Sequence, residues 1–215
     1  MALGGPGAGY PFPWSVLRWI EGEEPGPATV RDWAAFGRDL AGVVRALHGA
    51  DTGDTVRGGR LAWYRGLPLV SVDDDVEAAL AECRRLDGLD LDLDEVERLW
   101  SRLVSLPDPE VPDVWLHGDL RSANLLVRDG RLAAVLDFGA LSLGRPAAEH
   151  AAVWHFPAAM GSAYREALGV DDDTWERARG WALAVSLLAM PYYWSSWPEF
   201  AQGGVDKVRR LIAES

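Results

Sequence analysis

Apolar residues recur along the chain at two different periods. Val30, Trp33, Phe36, Leu40, Val43, Val44 and Leu47 are spaced by three and four, with one adjacent pair, which lays one apolar stripe along a helix. Thr29 supplies a cap and Gly49 a stop. Helices are also expected over about 74–86, opened by an acidic cluster, and 92–105, with Val96, Leu99, Trp100 and Leu103 on one face. Pro107, Pro109 and Pro112 then enforce irregular chain. The middle changes character. Residues 114–116, 124–127 and 132–136 are short apolar runs of strand length, and Asp129-Gly130 is a hairpin turn between the last two. After Pro146 helical spacing returns over 147–168, 174–190 (capped by Asp173 or Thr174) and 205–213. At the start, the Gly- and Pro-rich residues 1–13 read as loop, and the aromatic, β-branched run 14–20 as a strand. The order is strand, helices, a small β insert, helices: an α+β chain with no internal repeat.

Composition narrows the function. With 215 residues, 48% of them hydrophobic, the chain can bury one substantial core. Twenty-one basic and 33 acidic residues give a net charge of −12, which repels phosphate backbones, so no nucleic-acid partner is expected. The single cysteine, Cys83, excludes an internal disulfide and a cysteine-based zinc site. No signal peptide opens the sequence, and the longest apolar run, 181–190, is interrupted by Ser186 and followed by Pro191. A reduced, cytoplasmic protein without a membrane segment is the expectation.

The candidate chemistry sits in Trp115-Leu116-His117-Gly118-Asp119-Leu120-Arg121-Ser122-Ala123-Asn124, followed by Val135-Leu136-Asp137-Phe138-Gly139. Polar residues stand at the ends of short apolar strands, where a scaffold presents side chains to a ligand. Asp119 and Asn124 share one loop, and a hairpin folds Asp137 back toward Asn124, so two oxygen donors can converge on one cation. Magnesium suits such a pair, because it takes few protein oxygens and completes its shell with water and phosphates. Asp119 is then free to accept a proton from an attacking hydroxyl, the division of labour in phosphoryl transfer.

His-Gly-Asp-Leu-x-x-x-Asn with a following Asp-Phe-Gly resembles the aminoglycoside phosphotransferase family, which also holds choline and fructosamine kinases. The likeness runs from about Trp14 to the C-terminus. It implies a protein-kinase-like large (C-terminal) lobe over 23–215, with residues 1–22 as tail, last small-lobe strand and hinge. By position, it implies Asp119 as catalytic base and Asn124 and Asp137 as magnesium ligands. His117 and Glu149 would support the catalytic loop. The hinge Trp19-Ile20-Glu21 would bind adenine, and Leu126 and Leu136 would floor the nucleotide pocket. The implied activity is phosphorylation of a small-molecule hydroxyl, aminoglycoside-like by default, with Mg2+ and ATP or GTP; the alternative is an inactive remnant that binds a ligand or partner.

Family members pair a small-lobe lysine with the nucleotide phosphates. Here Lys207 is the sole lysine, near the C-terminus, so most of a small lobe is expected to be absent, leaving a hinge face open to dimerisation or to a covering lobe. Two further departures stand out. Arg121-Ser122 replaces the frequent His-Pro, a change expected to alter the loop's rigidity or to supply positive charge near the phosphates. Gly144-Arg145-Pro146-Ala147-Ala148-Glu149 replaces Gly-Asp-Pro-x-x-Asp and puts Arg145 at a helix N-terminus, where an acid is favoured. Elsewhere, the acidic clusters at 73–75, 90–94 and 171–173 read as helix starts, and His48 as packing. His150 and His155 are too ill-spaced to share a metal. Trp194 and Trp197 are candidates for lining a substrate cleft.

Overall fold

The computed structural model describes residues 1–214. The first long helix, α1 (Trp33–His48), carries the expected stripe: Phe36, Leu40 and Val44 are buried. Its cap is Asp32, not Thr29, because the Asp32 carboxylate accepts from the N–H groups of Ala34 and Ala35. Thr29 is spent earlier, where its hydroxyl bridges Gly26 N–H and the Glu24 carbonyl. Helix α2 (Asp73–Cys83) begins directly at its acidic cluster, and α3 (Leu93–Val104) is capped by Asp92. Both acidic starts complement the positive helix end.

After His150 the structure departs from the expected single helix over 147–168. A short α4 (Ala147–His150) passes into a 3-10 turn, and Pro157 drives Phe156 into extended backbone before α5 (Ala158–Leu168) begins. The next helix, α6 (Asp172–Tyr193), is capped by Asp171 rather than by Asp173 or Thr174. It continues past Pro191, whose ring removes one hydrogen bond near the last turn. Helix α7 (Pro198–Ala213) starts a full two turns before the expected position, with Pro198 in its first turn. Helix α6 forms the spine of the core: Trp181, Leu183, Leu187 and Met190 are buried among α2, α3, α4 and α7.

The β elements are short pairs. At the start, β1 (Ala2–Gly4) pairs antiparallel with β2 (Trp14–Val16), so 1–13 is not all loop, and residues 17–20 are not strand. Mid-chain, β3 (Val114–Leu116) pairs with β6 (Ser142–Gly144), a strand the pattern did not reveal. The hairpin of β4 (Leu125–Arg128) and β5 (Arg131–Val135) turns through Asp129 and Gly130, both with positive φ. That is the backbone a two-residue hairpin turn requires. Glu23 bonds Val127 on the free side of β4, N–H to O 2.9 Å and O to N–H 2.7 Å, which joins the chain leaving β2 to the hairpin.

Candidate active site

Strand β3 delivers His117, Gly118 and Asp119 to one end of the β insert. Gly118 has φ +80°, and a Cβ there would sit 2.5 Å from the Ala140 carbonyl oxygen, so only glycine fits this bend. His117 is buried. Its Nε2 lies 2.8 Å from the Leu136 carbonyl, and its Nδ1 lies 3.3 Å from the Asp119 N–H. A carbonyl needs a donor and an N–H needs an acceptor, so the ring is the neutral form protonated on Nε2. Burial lowers its pKa in the same sense, and the Phe138 ring closes over it at 4.7 Å. The arrangement makes His117 a clamp between the Asp119 loop and the strand leading to Asp137.

Glu149, from α4, secures the other side. Its buried carboxylate accepts from the backbone N–H groups of His117 and Gly118. Burial raises its pKa to about 7, against the opposing pull of those two donors. Arg145 turns away from the helix end: its guanidinium bonds the Pro109 carbonyl and pairs with Asp108 at 3.3 Å. The expected conflict with the helix dipole is relieved by the Pro-rich segment.

Asp119 is partly exposed and lines a cavity of about 700 Å³ together with Asp137. Asn124 is buried, and its amide donates to both the backbone carbonyl of Asp119 (2.8 Å) and its Oδ2 (3.0 Å). Asp137 is exposed, in left-handed backbone, with Oδ1 accepting from Gly139 N–H. Asn124 Oδ1 and Asp137 Oδ2 are left with no hydrogen-bond partner among the described residues. Both are hard oxygen donors. Among the described residues no three His, Cys, Asp or Glu side chains gather as a metal cage. As a pair of oxygen donors, the residues present fit magnesium.

Two cations that flank Asp119 bear on the same cavity. Arg121 Nε is 3.5 Å from Asp119 Oδ2. Arg65 was not legible as a site residue. Gly66 packs against Gly144 of β6, and Arg145 N–H bonds the Gly66 carbonyl. That docking swings Arg65 onto the loop, where it bonds the Gly118 carbonyl at 2.8 Å and meets Asp119 Oδ1 at 3.4 Å. The glycine pair is the only local hint.

The other expected residues fall as follows. Leu126 lies beneath Gly22, where a Cβ would approach to 2.9 Å, and Leu136 binds Asn124 and His117 through its backbone. Glu23, rather than Trp19, Ile20 or Glu21, pairs with β4; Trp19 is 81% exposed. Trp197 lines a second cavity, whereas Trp194 packs against the core. His48 packs edge-on against His150, which bonds Tyr164; His155 instead meets Lys207.

A helical body around a small β insert, with its polar loop ends opening on one cleft, is the architecture of the protein-kinase-like phosphotransferases. The family model described as "APH: Phosphotransferase enzyme family" matches residues 1–181, and the chain belongs to that family. Among solved structures, ADP-bound aminoglycoside phosphotransferase APH(2'')-Ib aligns at 14% identity and TM-score 0.53, covering 90% of this chain and 69% of that one. Macrolide 2'-phosphotransferase type I aligns at 18% identity and TM-score 0.56, covering 92% and 68%. APH(4)-Ia in ternary complex with AMP-PNP and hygromycin B aligns at 22% identity and TM-score 0.53, covering 84% and 65%. These identities carry the fold alone. A search of curated proteins returns no match. No helix among the described residues is long and apolar enough to cross a membrane.

Proposed function

We infer that the protein transfers the γ-phosphoryl group of a nucleoside triphosphate, ATP by preference, to a hydroxyl of a small molecule. One observation carries this reading: Asp119 and Asp137 open on the same cavity, while Asn124 holds Asp119 by both its carbonyl and its carboxylate. Asp119 orients the acceptor hydroxyl and takes its proton as the new O–P bond forms and the bond to the leaving diphosphate breaks. Asn124 and Asp137 would hold magnesium, which supplies charge neutralisation on the phosphates. His117 and Glu149 fix the loop that carries Asp119, and Arg121 offers positive charge to the transferring group. In this reading 23–215 is the large lobe, and the chain near Glu21–Glu23 is the hinge beside the nucleotide base, with Leu126 and Leu136 beneath it.

The test is acceptor-stimulated ADP formation. The purified protein with ATP and Mg2+ is expected to release ADP faster when a hydroxyl acceptor is present, with the phosphorylated acceptor detected by mass spectrometry. A panel of aminoglycosides, macrolides and simple alcohols that leaves the rate unchanged and yields no phosphorylated product would contradict it.

A further inference from the structure

The sole lysine lies in an unusual place. Lys207 of α7 is 9% exposed and forms no ion pair with an acid among the described residues. Its Nζ instead lies 3.0 Å from Nε2 of His155, whose pKa is held well below the usual histidine value by burial and then by the neighbouring positive charges, so the neutral ring accepts from the ammonium. Arg121, whose Nε makes no hydrogen bond but lies 3.5 Å from Asp119 Oδ2, borders the same space. These three side chains line one cavity of about 560 Å³, and Arg121 and His155 also line the Asp119 cavity, so the two spaces adjoin. Burial and the charge of Arg65 pull the Lys207 pKa down to about 7. Lys207 is thus a buried amine with a neutral imidazole and no carboxylate beside it, a group whose charge an oxyanion would complement. Acids do occur nearby: Glu24, Glu199 and Asp206 line the same cavity, but all three are exposed, and Asp206 is engaged by Arg209 and Gln202.

The remaining wall is aromatic. Tyr193 and Phe200 meet edge to face at 4.8 Å, and Phe200 stacks on Trp197 at 4.9 Å. Tyr192 and Tyr64 extend the surface around Asp119. Apart from Asp119 and Asp137 themselves, the residues of the Asp119 cavity include no acid. Such a lining disfavours a polycation and favours a flat, apolar body.

Taking the Asp119 cavity as the place of transfer, we propose that the acceptor is an aromatic hydroxyl compound bearing one oxyanion, carboxylate or phosphate. Its ring lies on the Tyr192, Tyr193 and Phe200 wall, and its anion is held by Lys207 beside His155. This departs from the aminoglycoside-like default.

Calorimetry on the full chain tests it with four probes: 4-(hydroxymethyl)benzoate, 4-(hydroxymethyl)phenyl phosphate, the neutral methyl ester of the former, and 4-(aminomethyl)benzyl alcohol. At least one anionic probe should bind roughly tenfold or more tightly than the neutral and cationic ones. Lys207→Met should remove that preference and Lys207→Arg restore it. His155→Gln gives the same readout at a more exposed position if Lys207→Met does not fold. Equal binding of all four probes, or preference for the amine, overturns the proposal. So does displacement of an anionic probe by AMP-PNP with Mg2+, which would assign Lys207 to the donor phosphates. A protein that binds AMP-PNP with Mg2+ but no anionic probe keeps the kinase reading and loses this one; the reverse result keeps the anion site and loses the kinase reading.

Discussion

Glu149 is drawn in two directions: two backbone N–H groups favour its charge, while burial opposes it and holds its pKa near 7. A carboxyl whose folded pKa lies above its unfolded value contributes stability that is full below about pH 4.5 and lost as pH rises through 7. The shift corresponds to about 3 kcal/mol. His48 and His150 act in the opposite sense. Their folded pKa values, about 4 and about 3, lie below 6.5, so their contribution is present above pH 6.5 and lost on acidification. Comparing wild type with Glu149→Gln cancels the histidines. In urea unfolding the stability of the variant relative to wild type should rise between pH 5 and pH 8; a pH-independent difference would remove the charge argument. Asp119 calls for a kinetic test. Asp119→Asn should lower turnover by roughly 10²–10⁴, the usual share of a positioned base, with nucleotide affinity changed less than about tenfold. Undiminished turnover would end its assignment as base.

The elements that could be read from the sequence were those whose apolar period is long. The stripe of α1 and the amphipathic face of α3 needed nothing beyond spacing, and the Asp129-Gly130 turn announced its own backbone. What escaped was set by contacts distant in sequence. Strand β6 exists because β3 pairs with it, and its three residues have no period to detect. Arg65 reaches Asp119 only because Gly66 and Gly144 let two backbones touch. The site divides likewise: Asp119, Asn124 and Asp137 stood out through their strand-end setting, whereas Lys207 and His155, 52 positions apart, meet only in the folded chain. The α1–α5 contact offers a test at this scale. A Cβ on Gly37 would lie 2.4 Å from the Met160 carbonyl oxygen, so Gly37→Ala should cost about 1–3 kcal/mol despite the better helix propensity of alanine. A variant as stable as wild type in urea would mean that α5 shifts freely.

At the scale of the whole molecule, apolar surface is unevenly distributed. Leu3, Phe12, Val16, Leu17 and Trp19, all within the first twenty residues, are each more than half exposed. Exposed apolar side chains in this number favour association. Light scattering is expected to show a mean mass that rises with protein concentration, and the paired change Phe12→Ser, Trp19→Ser should flatten that rise. A constant monomer mass in wild type would show that these side chains are inert. The cleft on which the account depends lies between the β insert and the C-terminal helices, lined from both.

The most direct test of that cleft is titration with AMP-PNP in the presence and absence of Mg2+, on wild type and Asp137→Asn. Binding in wild type should be at least about tenfold tighter with Mg2+, and that gain should vanish in Asp137→Asn while persisting in Asp119→Asn. Binding indifferent to Mg2+, or a gain that survives the loss of the Asp137 carboxylate, would contradict the assignment of this cleft to phosphoryl transfer.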